Sequence, residues 1–310
     1  MNLEPLKESF GELYELLSDQ SVLEVIIDSP DDIYYEKDRA IHNFSGKVNG
    51  QAQLQSMVQA MAKLAGKQFN EEMKNLRITL GDVMIHVASP LISRKGYVIN
   101  WNRVPNQIIS FDDLVKWKAI NQEGADIVKN AIKDNKSILC AGGVGSGVTT
   151  LCGVMINEIP SNYRVVSLEV TPTLNFNRKR QASLVTPNNK RSELSEIVEV
   201  SEMMRADYLV LNEILGKEAH LFCNLLRNGH SGVGIIKASN IFDAIKRLEA
   251  KILCHPEAAF EDAKYAISEA FDVIVYQERF SDGGRKITGV AEIKFIEGEL
   301  KLEMLYRNKD

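Results

Sequence analysis

A glycine-rich loop between an apolar strand and a helix start is the clearest chemical feature of this sequence. The segment SILCAGGVGSGVTT runs from Ser137 to Thr150. It fits the phosphate-binding pattern G-x-x-x-x-G-K-[ST] at Gly142, Gly147 and Thr149. Val148, however, stands at the lysine position. A glycine loop without the lysine is also compatible with a plain turn, so the loop by itself leaves both interpretations open.

The loop also supplies a candidate cofactor ligand. The Thr149 hydroxyl is a candidate Mg²⁺ ligand, although threonine at a helix start is equally an ordinary capping residue. The family resemblance described below adds the Glu213 carboxylate as the second candidate. ATP or ADP with Mg²⁺ are the expected cofactors, and a site that binds none is the alternative. The candidate nucleotide-binding residues are Gly142, Gly143, Gly145, Ser146, Gly147, Val148, Thr149 and Thr150.

Loss of the lysine affects turnover more than binding, because its ammonium neutralises charge on the transferring phosphate. Removal of one donor to a transition state typically lowers turnover by roughly 10²–10³. The sequence therefore predicts a phosphate-binding loop whose capacity for hydrolysis is reduced.

The bulk composition limits the class of protein that can carry this loop. The 310 residues suffice for two domains, and 45% hydrophobic with 25% charged residues is ordinary for a globular protein. A net charge of -5 argues against a nucleic-acid partner, which requires a basic face. No apolar run reaches the roughly 18 residues of a membrane span, and the N-terminus lacks a signal-peptide layout. We expect a cytoplasmic protein, held at an inner membrane only through partners.

Two kinds of hydrophobic pattern divide the chain. Residues 1–107 combine amphipathic helices, one near the N-terminus and one over 51–65, with strand-like runs at 22–28 and 32–38. This predicts a small α+β domain that ends in a linker at 105–107. In residues 108–310, apolar strands alternate with helices, which indicates an α/β domain with a mainly parallel sheet.

Two further features have unremarkable interpretations. The four cysteines, Cys140, Cys152, Cys223 and Cys254, lack metal-ligand spacing and are expected to be buried thiols. The basic segment 178–191 is interpreted as a solvated loop, with a phosphate or lipid contact as the alternative.

Six further segments, in order along the chain, resemble the secretion ATPases of type II, type IV and tight-adherence (Tad/Flp) pilus systems. The last of them resembles the tight-adherence branch in particular. The resemblance implies that the second domain is a RecA-like P-loop domain and that the protein forms hexamers. The segments span residues 16–38, 111–132, 168–174, 205–219, 228–240 and 266–293.

Compared with the motifs of that family, this chain keeps the scaffold and alters charged positions. Glu169, Glu213 and His230 match catalytic residues of the family and are expected to be vestigial. Glu169 and His230 also have structural interpretations, as a surface carboxylate and a structural histidine. Asn212 replaces a motif glycine, and Lys237 is taken to stand at the second histidine of the pattern T-G-H-x-G-x-x-x-T-x-H-A-N. The degenerate positions are Val148, Val170, Thr173, Met203, Leu215 and Lys237.

The resemblance also implies arginines in the N-terminal domain that face the phosphates across a cleft between the domains. Arg77 fits one of them. Val83 and Asn100 are taken to replace two others.

The preferred hypothesis is a catalytically degenerate pseudo-ATPase that acts as a ring-forming scaffold or regulator of a Tad-like pilus or secretion machine. In this hypothesis the protein does not hydrolyse ATP. The first alternative is a slow but active ATPase motor. A sensor that binds nucleotide without hydrolysis is the second. The implied partners are other copies of the chain or an intact paralogous ATPase, together with an inner-membrane platform protein.

Overall fold

The computed structural model describes residues 3–38, 40–70, 72–103, 108–259 and 262–308, except for the side chain at 188. The chain divides into two compact units, Met1–Gln107 and Ile108–Asp310. The predicted linker at 105–107 lies outside the described residues. In the described part of the chain, no helix is both long and apolar enough to cross a membrane.

The first unit is an antiparallel sheet packed against helices. The strand order is β3-β2-β1-β6-β5-β4, with antiparallel pairing throughout. Its elements are α1 (Lys7–Phe10), α2 (Leu13–Ser18), β1 (Val22–Ser29), β2 (Asp32–Lys37), β3 (Ala40–Asn43), α3 (Gly50–Leu64), β4 (Asn75–Leu80), β5 (Val83–Ala88) and β6 (Val98–Arg103), after a 3-10 turn at Glu4–Leu6.

The N-terminal helix of this unit is interrupted. Gly11 adopts a φ of 55°, in the left-handed region where glycine carries no steric penalty, and α1 ends there. The helical periodicity over residues 3–17 therefore becomes two short helices that share one apolar face. That face contacts the sheet, where Phe10 meets Trp101 edge-on with ring centroids 5.9 Å apart.

A buried ion pair at the end of β6 was not evident from the sequence. Arg103 Nη1 lies 2.9 Å from Asp82 Oδ2, and both side chains are almost completely buried. Arg103 also donates to the carbonyl oxygen of Leu17 at 2.8 Å, so it ties α2 to the sheet.

The second unit contains a sheet of eight strands with helices on both faces. Its elements are α4 (Phe111–Lys116), α5 (Gln122–Lys133), β7 (Ile138–Gly142), α6 (Val148–Glu158), β8 (Val165–Glu169), β9 (Gln181–Val185), α7 (Leu194–Glu202), β10 (Tyr208–Asn212), α8 (Glu218–Arg227), β11 (Ser231–Lys237), α9 (Ile241–Ile252), α10 (Ala263–Ala270), β12 (Val273–Arg279), β13 (Arg285–Ile296) and β14 (Glu299–Arg307), with 3-10 turns at Pro187–Asn189 and Arg191–Glu193.

The sheet is mainly parallel, which confirms the predicted fold class. The order is β14-β13-β12-β7-β11-β10-β8-β9, in which only β13 and β14 run antiparallel to their neighbours. Residues of β7 and β8 are buried throughout, as expected for strands covered by helices on both faces. Because the inner strands are parallel, the segments that follow β7, β8, β10, β11 and β12 meet at one edge of the sheet, called here the carboxyl edge.

Two expectations for this unit are wrong. The basic segment is not a solvated loop, because residues 181–185 form β9 beside β8. Arg178 in the same segment donates to the carbonyl oxygens of Ile156 and Ile159, at 3.0 and 2.7 Å, and so caps the end of α6. Cys254 is exposed rather than buried. The other three thiols are buried, and burial raises the pKa of Cys140 to about 12.

Candidate functional site

The glycine loop joins β7 to α6 and adopts a backbone that only glycine accommodates easily. Gly145 and Gly147 have φ values of 73° and 86°. Both lie in the left-handed region, where a β-carbon would be strained. The first amides of α6 have no acceptor within the helix, so they are free to bind an anion.

Val148 fills the lysine position with an apolar core side chain. It is 1% exposed and packs in the core cluster that also contains Cys140 and Leu151. A β-carbon at Gly142 would lie 3.0 Å from Val148 Cγ2. The side chain therefore points into the unit's interior and presents no charge to the loop.

Two buried polar groups beside the loop lack hydrogen-bond partners. Ser146 is 1% exposed and Gln277 of β12 is 6% exposed. Among the residues that the structure describes, Ser146 Oγ and Gln277 Oε1 have no hydrogen-bond partner, although Gln277 lies directly opposite Gly142 in the sheet. An unpaired buried polar group costs roughly 1–3 kcal/mol, so such groups usually mark a ligand or water position. The Ser146 hydroxyl can donate to a phosphate oxygen as placed, and the Gln277 side chain can do so once its amide is flipped.

The turn between β12 and β13 brings two arginines to the same loop. Arg285 Nε donates to the carbonyl oxygen of Gly145 at 2.9 Å. Arg279 Nη1 lies 3.0 Å from the position that a β-carbon on Gly145 would occupy. Neither arginine, nor Gln277, was among the residues predicted from the sequence. They lie more than 125 residues beyond the loop in the chain and belong to no short motif.

Glu169, predicted as a vestigial catalytic carboxylate, is enclosed at the end of β8. It is 2% exposed, and its Oε2 accepts from the amides of Thr173 and Leu174 at 2.8 and 3.1 Å. Its Oε1 lies 3.2 and 3.3 Å from the hydroxyls of Ser167 and Ser183. Both oxygens are therefore occupied by neutral donors, and the carboxylate holds the following loop in place.

Two of the altered motif positions contact each other at this carboxylate. Asn212 Nδ2 donates to Glu169 Oε2 at 2.9 Å and lies 2.5 Å from Thr173 Oγ1. Asn212, taken to replace a glycine, is thus hydrogen-bonded to Thr173, taken to replace a glutamate. Val170, the next degenerate position, is part of the hydrophobic core, as is expected for an apolar side chain.

Glu213 follows β10 with a strained backbone. Its φ is 87°, and its amide donates to the carbonyl oxygen of Leu211 at 3.0 Å, two residues earlier. That hydrogen bond closes a three-residue turn centred on Asn212. Glu213 itself lies at positive φ, which is uncommon and strained for a residue with a side chain. Two strand spacings separate β10 from β7, or about 10 Å across the sheet.

Thr149 and Glu213 therefore stand on the same edge of the sheet as the glycine loop. Both side chains are partly exposed, and hydroxyl and carboxylate oxygens are ligands that Mg²⁺ accepts. Thr149 and Glu213 therefore stay the candidate Mg²⁺ ligands, whereas both oxygens of the enclosed Glu169 already accept hydrogen bonds.

The loop after Glu213 is held by its own polar residues. Glu218, buried at the start of α8, accepts hydrogen bonds from the amides of Leu215 and Gly216. Lys251 donates to the carbonyl oxygen of Leu215 at 2.8 Å. The residue at the degenerate position 215 therefore contributes its backbone to this loop.

His230 and Met203 lie away from the glycine loop. His230 precedes β11 and its Nδ1 lies 3.1 Å from the carbonyl oxygen of Ala206, which precedes β10. Met203 follows α7, also before β10, and is 80% exposed. Residues that precede parallel strands lie at the edge opposite the one that carries the loop. The structure thus does not bring His230 to the phosphate position, and a catalytic role for it is not supported.

One group of three potential metal ligands occurs among the described residues: His220, His255 and Glu257. The two imidazole rings stack with centroids 4.6 Å apart and planes 14° from parallel. The amide of Glu257 is placed to donate to Nδ1 of His255, and the Asn224 side chain contacts Nε2 of His220. Parallel rings do not converge on one ion, so this cluster is a stacked pair rather than a metal centre.

A protein-family model described as "Type II/IV secretion system protein" matches residues 7–279, which is most of the chain. The chain belongs to this family. Among curated proteins, the conjugal transfer protein TrbB of Rhizobium radiobacter is 29% identical over 213 residues, which are 67% of this chain and 62% of TrbB. The matched part therefore spans less than two thirds of that relative.

Solved structures of similar fold include the Legionella pneumophila ATPase DotB, at a TM-score of 0.63 and 13% identity, with 90% of this chain and 79% of that chain covered. The pilus retraction motor PilT with bound ADP gives a TM-score of 0.64 at 16% identity and covers 96% and 83%. These likenesses show that the chain has the fold of secretion ATPases.

The histidine box of this family requires one correction. Counted along the pattern, the second histidine falls eight residues after His230, at Ala238, which is buried. Lys237 is the preceding residue, the last of β11, and lies opposite Gly142 in the sheet. The assignment of Lys237 to that histidine position is therefore wrong by one residue. Asn240, the last residue of the box, caps α9 by accepting from the amide of Asp243 at 2.9 Å.

Proposed function

We propose that this chain is a catalytically degenerate member of the type II/IV secretion ATPase family that acts through binding rather than hydrolysis. The observation that supports this most is the network formed by Asn212, Glu169 and Thr173. A glutamate available for catalysis must reach water or a metal, whereas Glu169 is enclosed by hydrogen-bond donors. The altered residues complete that enclosure instead of leaving a gap.

The lysine position supports the same proposal. Val148 is packed in the core, and the loop around it keeps its left-handed glycines. Selection that preserves a special backbone while removing the charged groups fits a protein that needs the shape of the domain. Decay without selection would also have disturbed the loop.

In this role the chain would form a hexameric ring, alone or with an intact paralogous ATPase, and contact an inner-membrane platform protein of a pilus or secretion system. The tight-adherence branch is our preferred system because of the resemblance of segment 266–293. ATP or ADP with Mg²⁺ would be held at the glycine loop with Thr149 and Glu213 as metal ligands, and would regulate the assembly.

A slow ATPase is the second candidate, and Glu213 is the observation that favours it. Its carboxylate follows the strand that lies two places from the glycine loop, and its strained backbone is typical of functional positions. A metal held there would supply Lewis-acid stabilisation of the transferring phosphate.

Phosphate release from ATP by the full chain separates the two candidates. We expect no release above that of a Glu213→Gln variant, which keeps the size of the side chain but removes its charge. Steady hydrolysis by the natural chain that Glu213→Gln abolishes would contradict the pseudo-ATPase proposal and favour the slow motor.

Light scattering with and without ATP tests the hexamer, and a monomer at high concentration in both conditions would exclude a homomeric ring.

A further inference from the structure

We propose that Arg279 and Arg285, at the turn between β12 and β13, supply the positive charge that the glycine loop lacks, and that the loop thereby remains a polyphosphate-binding site. The proposal rests on the nucleotide site proposed above but not on the loss of hydrolysis, since binding and turnover depend on different groups.

The first support is the position of the two arginines. Arg285 Nε holds the carbonyl oxygen of Gly145 at 2.9 Å, and Arg285 Cδ lies 3.1 Å from the position of a β-carbon on Gly147. Arg279 Nη1 approaches the position of a β-carbon on Gly145 to 3.0 Å. Arg285 therefore binds Gly145 and passes Gly147, and the Arg279 guanidinium lies beside Gly145.

The second support is the unpartnered polar pair, which points to a ligand independently of the arginines. Ser146 and Gln277 are more than nine-tenths buried, and Ser146 Oγ and Gln277 Oε1 have no hydrogen-bond partner. Gln277 Nε2 lies 3.2 Å from the position of a β-carbon on Gly147, so this side chain is at the loop. A phosphate oxygen would accept from the serine hydroxyl and from the glutamine amide after a simple flip.

The chemistry of the two arginines determines the class of ligand. A guanidinium has five N–H donors in a planar fork that suits phosphate oxygens, and it stays charged at every physiological pH. Two such groups beside a glycine loop and a helix N-terminus favour an anion of several negative charges over a single carboxylate. The ligand is therefore a polyphosphate, either the phosphate chain of a nucleotide or an inorganic polyphosphate.

Titration of the full chain with ATP, ADP and inorganic triphosphate, each with Mg²⁺, tests this proposal by calorimetry. We expect Arg279→Gln and Arg285→Gln each to weaken binding about 10–100-fold, the usual value of one charged hydrogen bond. Arg285→Lys keeps the charge but not the fork, and should give an intermediate affinity. Equal affinities for ATP and triphosphate would identify the phosphate chain alone as the ligand, and a preference for ATP would add the nucleoside.

Two matched controls separate a local effect from a change in net charge. Arg227→Gln removes the same charge at the end of α8, near the edge opposite the loop, and should leave affinity within about twofold because its charge is screened at that distance. Lys237→Gln tests another cation near the carboxyl edge and should have a smaller effect than either arginine variant. Thermal unfolding of each variant identifies any that fails to fold.

Three results would overturn the proposal: no binding of any of the three ligands by the natural chain, arginine variants that bind like Arg227→Gln, or Lys237→Gln as the most damaging change. The first of these leaves the non-hydrolytic scaffold role intact. Conversely, tight binding followed by phosphate release would contradict the scaffold role and support the arginine assignment.

Discussion

The side-chain amide of Asn212 lies 2.5 Å from Thr173 Oγ1 and donates to Glu169 Oε2 at 2.9 Å. The resemblance described above places a glycine at position 212 and a glutamate at position 173. A glycine has no side chain, so these bonds depend on the asparagine. Asn212 and the amide of Thr173 together supply donors that enclose Glu169 Oε2.

The first prediction is that restoring the family residue at position 212 destabilises the protein. Asn212→Gly removes a hydrogen-bond donor from the buried Glu169 carboxylate and raises the backbone entropy of the unfolded chain. The free energy of unfolding should therefore fall by about 1–3 kcal/mol. Urea denaturation followed by circular dichroism measures this loss, provided that the transition of the second unit is resolved from that of the first.

A double-mutant cycle with Thr173→Ala tests the contact itself. We expect a coupling of about 0.5–3 kcal/mol between positions 212 and 173, as is usual for residues in one hydrogen-bond network. Additive effects of the two changes would show that the contact between them contributes nothing.

The second prediction concerns the strained backbone at Glu213. Glycine accepts the φ of 87° without a β-carbon clash, so Glu213→Gly should be more stable than Glu213→Ala by about 1 kcal/mol. Both variants lack the carboxylate, so the comparison isolates the backbone. Equal unfolding midpoints for the two would indicate that residue 213 leaves the left-handed region at no cost.

The glycine loop and the parallel strands could be predicted from the sequence because both depend on local patterns. Positive φ selects glycine at positions 145 and 147, and strands buried on both faces read as unbroken apolar runs, as in β7. The placement of His230 was also within reach of the sequence. His230 precedes β11, whereas Gly142 ends the neighbouring parallel strand β7. The two residues therefore lie at opposite edges of the sheet, separated by the length of β11.

The contacts that give the site its charge could not be predicted in this way. Arg285 reaches Gly145 from 140 residues later in the chain, through the antiparallel turn after β12. Nothing in the local pattern around Arg285 indicates that pairing. The enclosure of Glu169 depends in the same manner on Ser183 of β9, in a segment whose basic residues suggested a solvated loop.

The third prediction concerns pH. Burial, followed by the nearby charge of His255, lowers the pKa of His220 below its usual 6.5. The folded state therefore disfavours the protonated imidazole. The stability that the neutral ring contributes is fully present above the pKa of His220 in the unfolded chain. It is lost as the pH falls through the pKa of His220 in the folded protein. We expect the ring protons of His220 to titrate below pH 6.5 in NMR spectra.

The stability measurement has a matched control. His220→Gln should weaken the loss of stability between pH 7 and pH 5, whereas His42→Gln, at an exposed position on β3 in the first unit, should leave that loss unchanged. A His220 resonance that titrates above pH 6.5 would contradict the prediction.

The last prediction is that Val148→Lys tightens nucleotide binding without restoring hydrolysis. Because the Val148 side chain is packed in the core, a lysine there must extend its four-carbon stem out of that cluster. Its ammonium then adds one charged contact to a polyphosphate, which should tighten ATP binding about 10–100-fold. Hydrolysis also requires a carboxylate that can reach water or metal, and Glu169 remains enclosed by its donors. The effects of groups that act on one transferring phosphate are strongly non-additive, so repair of a single member leaves the others limiting.

Val148→Met is the matched control, because it adds length at the same core position without charge and should leave affinity unchanged. Phosphate release measured beside nucleotide titration separates the two effects, and a Val148→Lys variant that hydrolyses ATP steadily would show that the lysine was the only function lost.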